Sequence, residues 1–74
     1  MTQEQEVELI ELGTKMFNGI KAHWTGEDLA QIYAIYNKIH GTNEVDTGCG
    51  SCRRNHINSV RNMYMALVNN KSLQ

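Results

Sequence analysis

The chain has 74 residues, 41% hydrophobic and 20% charged, with a formal charge of −1. That is one domain's length, too apolar for a disordered segment and too weakly charged for a protein that holds nucleic acid by bulk positive charge. The longest apolar run, Met63 to Val68, is far short of the ~20 residues of a membrane-spanning helix, and the acidic start MTQEQEVELIELG is unlike a secretory leader.

The near-zero net charge conceals an asymmetry. Residues 1–30 hold six acids against Lys15 and Lys21, whereas residues 47–74 hold Arg53, Arg54, Arg61 and Lys71 and no acid. Opposite poles of this kind attract within a fold or present two surfaces to partners. Two cysteines without an export signal fit a reducing cytoplasm, where closely spaced cysteines serve as metal ligands, redox groups or inert thiols.

The first predicted helix spans about residues 3–20. Leu9, Ile10, Gly13, Met16, Phe17 and Ile20 recur at three- and four-residue steps and form one apolar stripe. Glu4, Glu6 and Glu8 suit the dipole at its start, Gly19 is a stop signal, and Gly13 on the stripe marks a close helix crossing.

The second helix, 26–40, has the clearest start. Thr25 is an N-cap, Asp28 closes a capping box, and Trp24 and Leu29 occupy the positions of a hydrophobic staple. Leu29, Ile32, Tyr33, Tyr36 and Ile39 form its stripe, and Gly41 ends it.

The segment GTNEVDTGCG, residues 41–50, carries three glycines and no apolar alternation, and is predicted to be a loop. The third helix runs over about 51–69 with Ile57, Val60, Tyr64, Leu67 and Val68 buried, and the closing NNKSLQ is expected to fray. Three stripes of similar length need one shared interior, so the expected fold is all-α: a small three-helix bundle, a single domain over residues 1–74, with a Gly/Cys loop between helices two and three.

The chemistry concentrates at TGCGSCRRNHINSVRN, residues 47–62. Cys49 and Cys52 are spaced C-x2-C, and His56 follows Cys52 by one helical turn. With His40 at the end of helix two, the set His40, Cys49, Cys52 and His56 offers two sulfurs and two imidazoles, the donor types and number of a tetrahedral structural zinc. Such a site would pin the glycine-rich loop and join helices two and three. His23 is a reserve ligand.

Two other readings compete. In the redox reading, Cys49 is an attacking thiolate activated by the helix N-terminus and by Arg53 and Arg54, although no strand precedes the motif as in βαβ redox proteins. In the bland reading both thiols only fill space.

The opposite face of helix three carries Arg53, Arg54, Asn58 and Arg61, residue types that contact phosphates, base edges or protein partners. A helix-turn-helix has a 3–4-residue turn before its reading helix, and the loop here is longer. There is no paired-carboxylate site, phosphate loop or serine with a placed base, and a bundle of this size is expected to lack a concave pocket of the usual ~300 Å³ or more. The chain is therefore expected not to be an enzyme.

The run YNKIHGTNEVDTGCGSCRRNHINSVRNMY, within a match covering about residues 30–68, resembles small all-helical proteins with a C-x-S-C motif encoded by tailed bacteriophages. The resemblance implies a phage or mobile-element origin, a helical fold, an accessory role and residence in host cytoplasm. It assigns no activity to the motif Cys49, Gly50, Ser51, Cys52 and Arg53.

The expected function is thus binding, not turnover: an accessory module docking on a protein partner, with zinc or packed thiols at the corner. The alternatives are a nucleic-acid-binding domain using the basic face and a thiol redox protein using Cys49 and Cys52. Self-association stays open, and no membrane partner is expected.

Overall fold

The computed structural model describes residues 2–17 and 23–72. Three helices follow in chain order: α1 (Gln3–Phe17), α2 (Gly26–His40) and α3 (Gly50–Ser72). Each packs against the other two, so the chain is an all-α three-helix bundle. The predicted extension of the first helix to Ile20, with its Gly19 stop, falls outside the described residues.

All three helices open on the same device, a side chain at the N-cap bonded to the backbone three residues on. At α1, Gln5 N–H donates to Thr2 Oγ1 at 3.1 Å and Thr2 N–H donates to Gln5 Oε1 at 3.0 Å. At α2, Thr25 is extended (φ −79°, ψ 168°), accepts from Asp28 N–H at 3.1 Å and donates its own N–H to Asp28 Oδ2 at 3.1 Å. At α3 the capping atom is a sulfur, described below. These bonds satisfy N–H groups that have no partner within a helix.

The interior is built from Leu9 and Met16 of α1, Ile32 and Ile35 of α2, and Val60 of α3. Leu9, Ile32 and Val60 are fully enclosed. Around them lie partly buried Leu12, Phe17, Trp24, Tyr36, Ile39 and Ile57. The predicted stripes supply this core, with Ile35 added on α2. Burial on α3 is shallower: Ile57, Tyr64, Leu67 and Val68 are half-buried. That helix also runs past the predicted stop at Asn69 to Ser72. No proline or glycine interrupts the helical geometry over 69–72.

Gly13 sits where α1 meets α3. A Cβ built on it would lie 2.1 Å from Tyr64 Cδ1 and 2.4 Å from Cγ, so the tyrosine ring occupies the space a side chain would take. Tyr64 OH lies 3.4 Å from Thr14 Oγ1, which fixes the ring at its far end. The α1–α2 seam is polar at one end: Lys38 Nζ pairs with Glu8 Oε2 at 2.8 Å, and Gln5 Nε2 donates to the Lys38 carbonyl at 3.1 Å.

Two effects oppose each other at Gly13. Alanine favours helix by about 1 kcal/mol over glycine, whereas forcing a methyl into a packed site costs roughly 1–3 kcal/mol. A ring cannot swing away like a flexible chain end, so the clash wins. Gly13→Ala is expected to lower stability by about 1–2 kcal/mol in denaturant melts. Combined with Tyr64→Ala it should lose less than the two single costs added; strict additivity would contradict the contact.

Candidate functional site

The segment between α2 and α3 is ordered by two polar side chains. Gly41, in the left-handed region at φ 67°, ends α2 with its N–H on the Asn37 carbonyl at 2.7 Å, and Thr42 N–H reaches the same carbonyl at 3.1 Å. The Asn37 side chain then holds the next residues. Its Oδ1 accepts from Thr42 Oγ1 and from Glu44 N–H, both at 2.8 Å, and its Nδ2 donates to the Glu44 carbonyl at 2.8 Å. That uses three of the four hydrogen bonds an amide side chain can make.

Asp46 continues the clasp. It accepts from Arg53 Nε at 2.7 Å and from Arg53 Nη2 at 3.0 Å, a two-pronged pair, and from Gly48 N–H at 3.0 Å. Gly48, at φ 83°, takes a conformation that favours glycine, as the turn requires. The pair ties the loop to the first turn of α3.

These hydrogen bonds, first from Arg53 and then from Gly48, hold the Asp46 carboxyl below its ordinary value of 3.8. They stabilise the ionised form.

Cys49 is the N-cap of α3. Its carbonyl accepts the first helical bond, from Arg53 N–H at 3.0 Å, and its Sγ accepts from Cys52 N–H at 3.2 Å. Ser51 Oγ lies 3.8 Å from the same sulfur. Cys49 and Cys52 pair as a disulfide across this first turn, their Cα atoms 5.2 Å apart. Cys49 is half-buried and Cys52 exposed.

The histidines lie elsewhere in the corner. His56 Nδ1 is 2.8 Å from the Cys52 carbonyl. A carbonyl only accepts, so Nδ1 carries the proton and donates. The His56 ring packs on Tyr33 at 4.5 Å and on Tyr36 at 4.6 Å between centroids, and His40 packs on the same Tyr36 at 4.4 Å. Burial raises the Tyr33 phenol above its ordinary value of 10.0, with Asp46 adding to the effect. Of the four predicted zinc ligands, the structure joins the two cysteines and places both histidines against one tyrosine. Among the described residues no three or more His, Cys, Asp or Glu side chains are gathered to hold a metal ion.

The predicted basic face lines a cleft. Arg53, Arg54, Asn58 and Arg61 form its α3 side, and Phe17, Trp24, Leu29 and Ile57 supply its apolar surface, with a volume of about 560 Å³. This corrects the expectation that the bundle has no room for a concavity. Gly50 stands on the lip with open space where a side chain would be, and the aromatic pair Phe17–Trp24, 6.0 Å between centroids, gives the cleft breadth. Arg53 is engaged by Asp46. Arg54 and Arg61 are exposed, and neither makes an ion pair with another described residue.

Sequence reasoning missed Asn37 and Asp46. Asp46-x-Gly48 carries a turn signal, and Asn37 near the end of α2 carries a weaker one. It also missed the cleft, which needs the third dimension. Among the described residues no helix is long and apolar enough to cross a membrane. Comparison with protein-family models, with curated proteins and with solved structures finds no match for the chain.

The depressed Asp46 carboxyl yields a pH dependence. A folded-state value below the unfolded 3.8 means the contribution is present above that value and lost as pH falls through the folded one. Asp46→Asn should therefore melt below the parent protein at neutral pH, with the gap closing as both are taken below pH ~3.8 toward ~2. A gap of constant size across that range would contradict the pairing with Arg53.

Proposed function

We propose that the domain is a binding module whose cleft takes an acidic segment of a protein partner carrying an apolar or aromatic anchor. The observation that supports this reading is the joining of Arg54, Asn58 and Arg61 to Trp24 and Phe17 in one concavity. Aromatic rings and arginines supply most of the energy at protein interfaces, and two guanidinium groups with no ion pair among the described residues, beside an apolar surface, match a carboxylate flanking a hydrophobic side chain. An accessory role of this kind agrees with the resemblance to small phage-encoded proteins.

Nucleic acid fits the same surface less well. Proteins that bind duplexes electrostatically neutralise several phosphates. Here Arg53 is already neutralised by Asp46, which leaves Arg54 and Arg61 as the cleft cations without an ion pair among the described residues, and the first 30 residues carry six acids.

The test uses two probes: a twelve-residue peptide with glutamates flanking a central Trp-Leu pair, and a ten-nucleotide oligothymidylate. Titrating each into labelled protein, the peptide is expected to shift the Trp24 indole and the Arg54 and Arg61 side-chain signals. The double reversal Arg54→Glu with Arg61→Glu should weaken it at least about tenfold, the loss of ~1.4 kcal/mol or more. Shifts caused by the oligonucleotide and not by the peptide would replace the protein partner with nucleic acid. No shift from the peptide would refute the proposal.

A further inference from the structure

The cysteine corner has a feature that capping alone does not require: its two cysteines are unequally exposed. Cys52 stands exposed on the first turn of α3, whereas Cys49 is half-buried and holds the N–H of Cys52 on its sulfur at 3.2 Å. The α3 N-terminus has no acid in its first turn, so its positive end is not cancelled locally. Negative charge arriving on Cys49 is thus met by an N–H and by the helix terminus, while Cys52 is the more exposed residue of the pair.

The disulfide is also a weak staple. It closes a ring over a sequence separation of 3, and a short ring removes less chain entropy from the unfolded state than a longer one. The loop before it is held by Asn37 and by Asp46 with Arg53, so opening the sulfur bridge leaves the corner's other bonds in place. Beside it, Gly50 and Arg53 line the mouth of the cleft, which gives an incoming chain a surface to rest on.

We propose that the Cys49–Cys52 pair exchanges disulfides with a protein segment bearing two thiols, with Cys52 the attacked sulfur and Cys49 the leaving one. In the first step a partner thiolate attacks Cys52 Sγ. A bond forms between the partner sulfur and Cys52, the Cys49–Cys52 bond breaks, and Cys49 departs as a thiolate keeping the electron pair, to which the N–H of Cys52 donates a hydrogen bond. In the second step the partner's other thiolate attacks its own sulfur in the mixed disulfide, and Cys52 leaves as thiolate. The partner dithiol is oxidised to a disulfide and the pair is reduced by the same two electrons. The two protons shed by the partner thiols pass through solvent to Cys49 and Cys52. Exchange is reversible, and a partner disulfide drives the same steps backward to restore the bridge. Rates of such exchange depend on which sulfur is accessible and on how well the leaving thiolate is stabilised, and both point to the same order here. The proposal goes beyond the acidic-segment reading and stands whatever the cleft binds.

The experiment uses the full chain in its oxidised form with reduced glutathione as the probe, acid-quenched and mapped by mass spectrometry. The native protein is expected to carry the early mixed disulfide on Cys52 at least fivefold over Cys49, and the chain unfolded in urea to carry it on both alike. Cys49→Ser puts a good capping oxygen at the same position, so this variant is expected to fold. After treatment with oxidised glutathione it should hold a lasting adduct on Cys52, whereas reduced parent protein given the same reagent goes on to the internal disulfide. Equal labelling of the two sulfurs in the native state would overturn the proposal. So would a bridge that reacts only in denaturant, or reduced protein that retains one chelator-sensitive zinc on its thiolates in place of exchange.

Discussion

The chain leaves α2 at a glycine and enters α3 nine residues later through a glycine-rich, largely exposed segment. Such a stretch would cost conformational entropy to order and has little apolar surface to bury in return. What orders it is a clasp of two side chains: Asn37 closing over Thr42 and Glu44, and Asp46 gripping Arg53 while capping the turn at Gly48. The start of α3 follows directly on that clasp. The clasp sets where α3 begins, hence which residue becomes its N-cap, hence that the capping atom is a sulfur.

The charge asymmetry is resolved in the fold in a specific way. The acidic pole of α1 is bridged to α2 by Glu8 and Lys38, and the basic pole of α3 is bridged to the loop by Arg53 and Asp46. Both pairs lie at the surface, so each contributes modestly to stability and more to position. Subtracting Arg53 leaves Arg54 and Arg61 as the unspent charge of the cleft. Two cations next to aromatic rings make a short, mixed polar and apolar surface, and the proposal of a protein segment as its occupant rests on that mixture.

The parts of the fold that were legible in the sequence are those written in local rules. Thr25 and Asp28, the stop at Gly41, and the stripes through Leu9, Met16, Ile32 and Val60 follow from helix periodicity and capping chemistry, and Gly13 on an apolar stripe foretold the close approach that Tyr64 makes. The Thr2–Gln5 box was equally local but was masked by the run of glutamates beside it. Ile35 escaped because the stripe of α2 is wider than one row of residues, wide enough to meet two neighbouring helices. Apart from the local Asp46–Gly48 bond, Asn37 and Asp46 have partners five to seven positions away in a non-repeating segment, and no period announces such bonds. For the candidate site, spacing alone brought Cys49 and Cys52 together correctly, since the two are one helical turn apart. It did not orient the two histidines: the His56 ring is directed by Tyr33 and Tyr36 on another helix, and the His40 ring by Tyr36 one turn earlier on its own helix.

The central claim is that the Asn37 and Asp46 clasp, and not the sulfur bridge, fixes the corner between α2 and α3. Amide hydrogen exchange tests it most directly, measured on oxidised protein and on protein held with a reductant and a chelator. The N–H groups of Glu44 and Gly48 donate to Asn37 Oδ1 and Asp46 Oδ1, so they report the clasp alone. Their protection is expected to survive reduction nearly unchanged. Loss of protection at both amides on reducing Cys49 and Cys52, with the helices themselves still protected, would contradict the account.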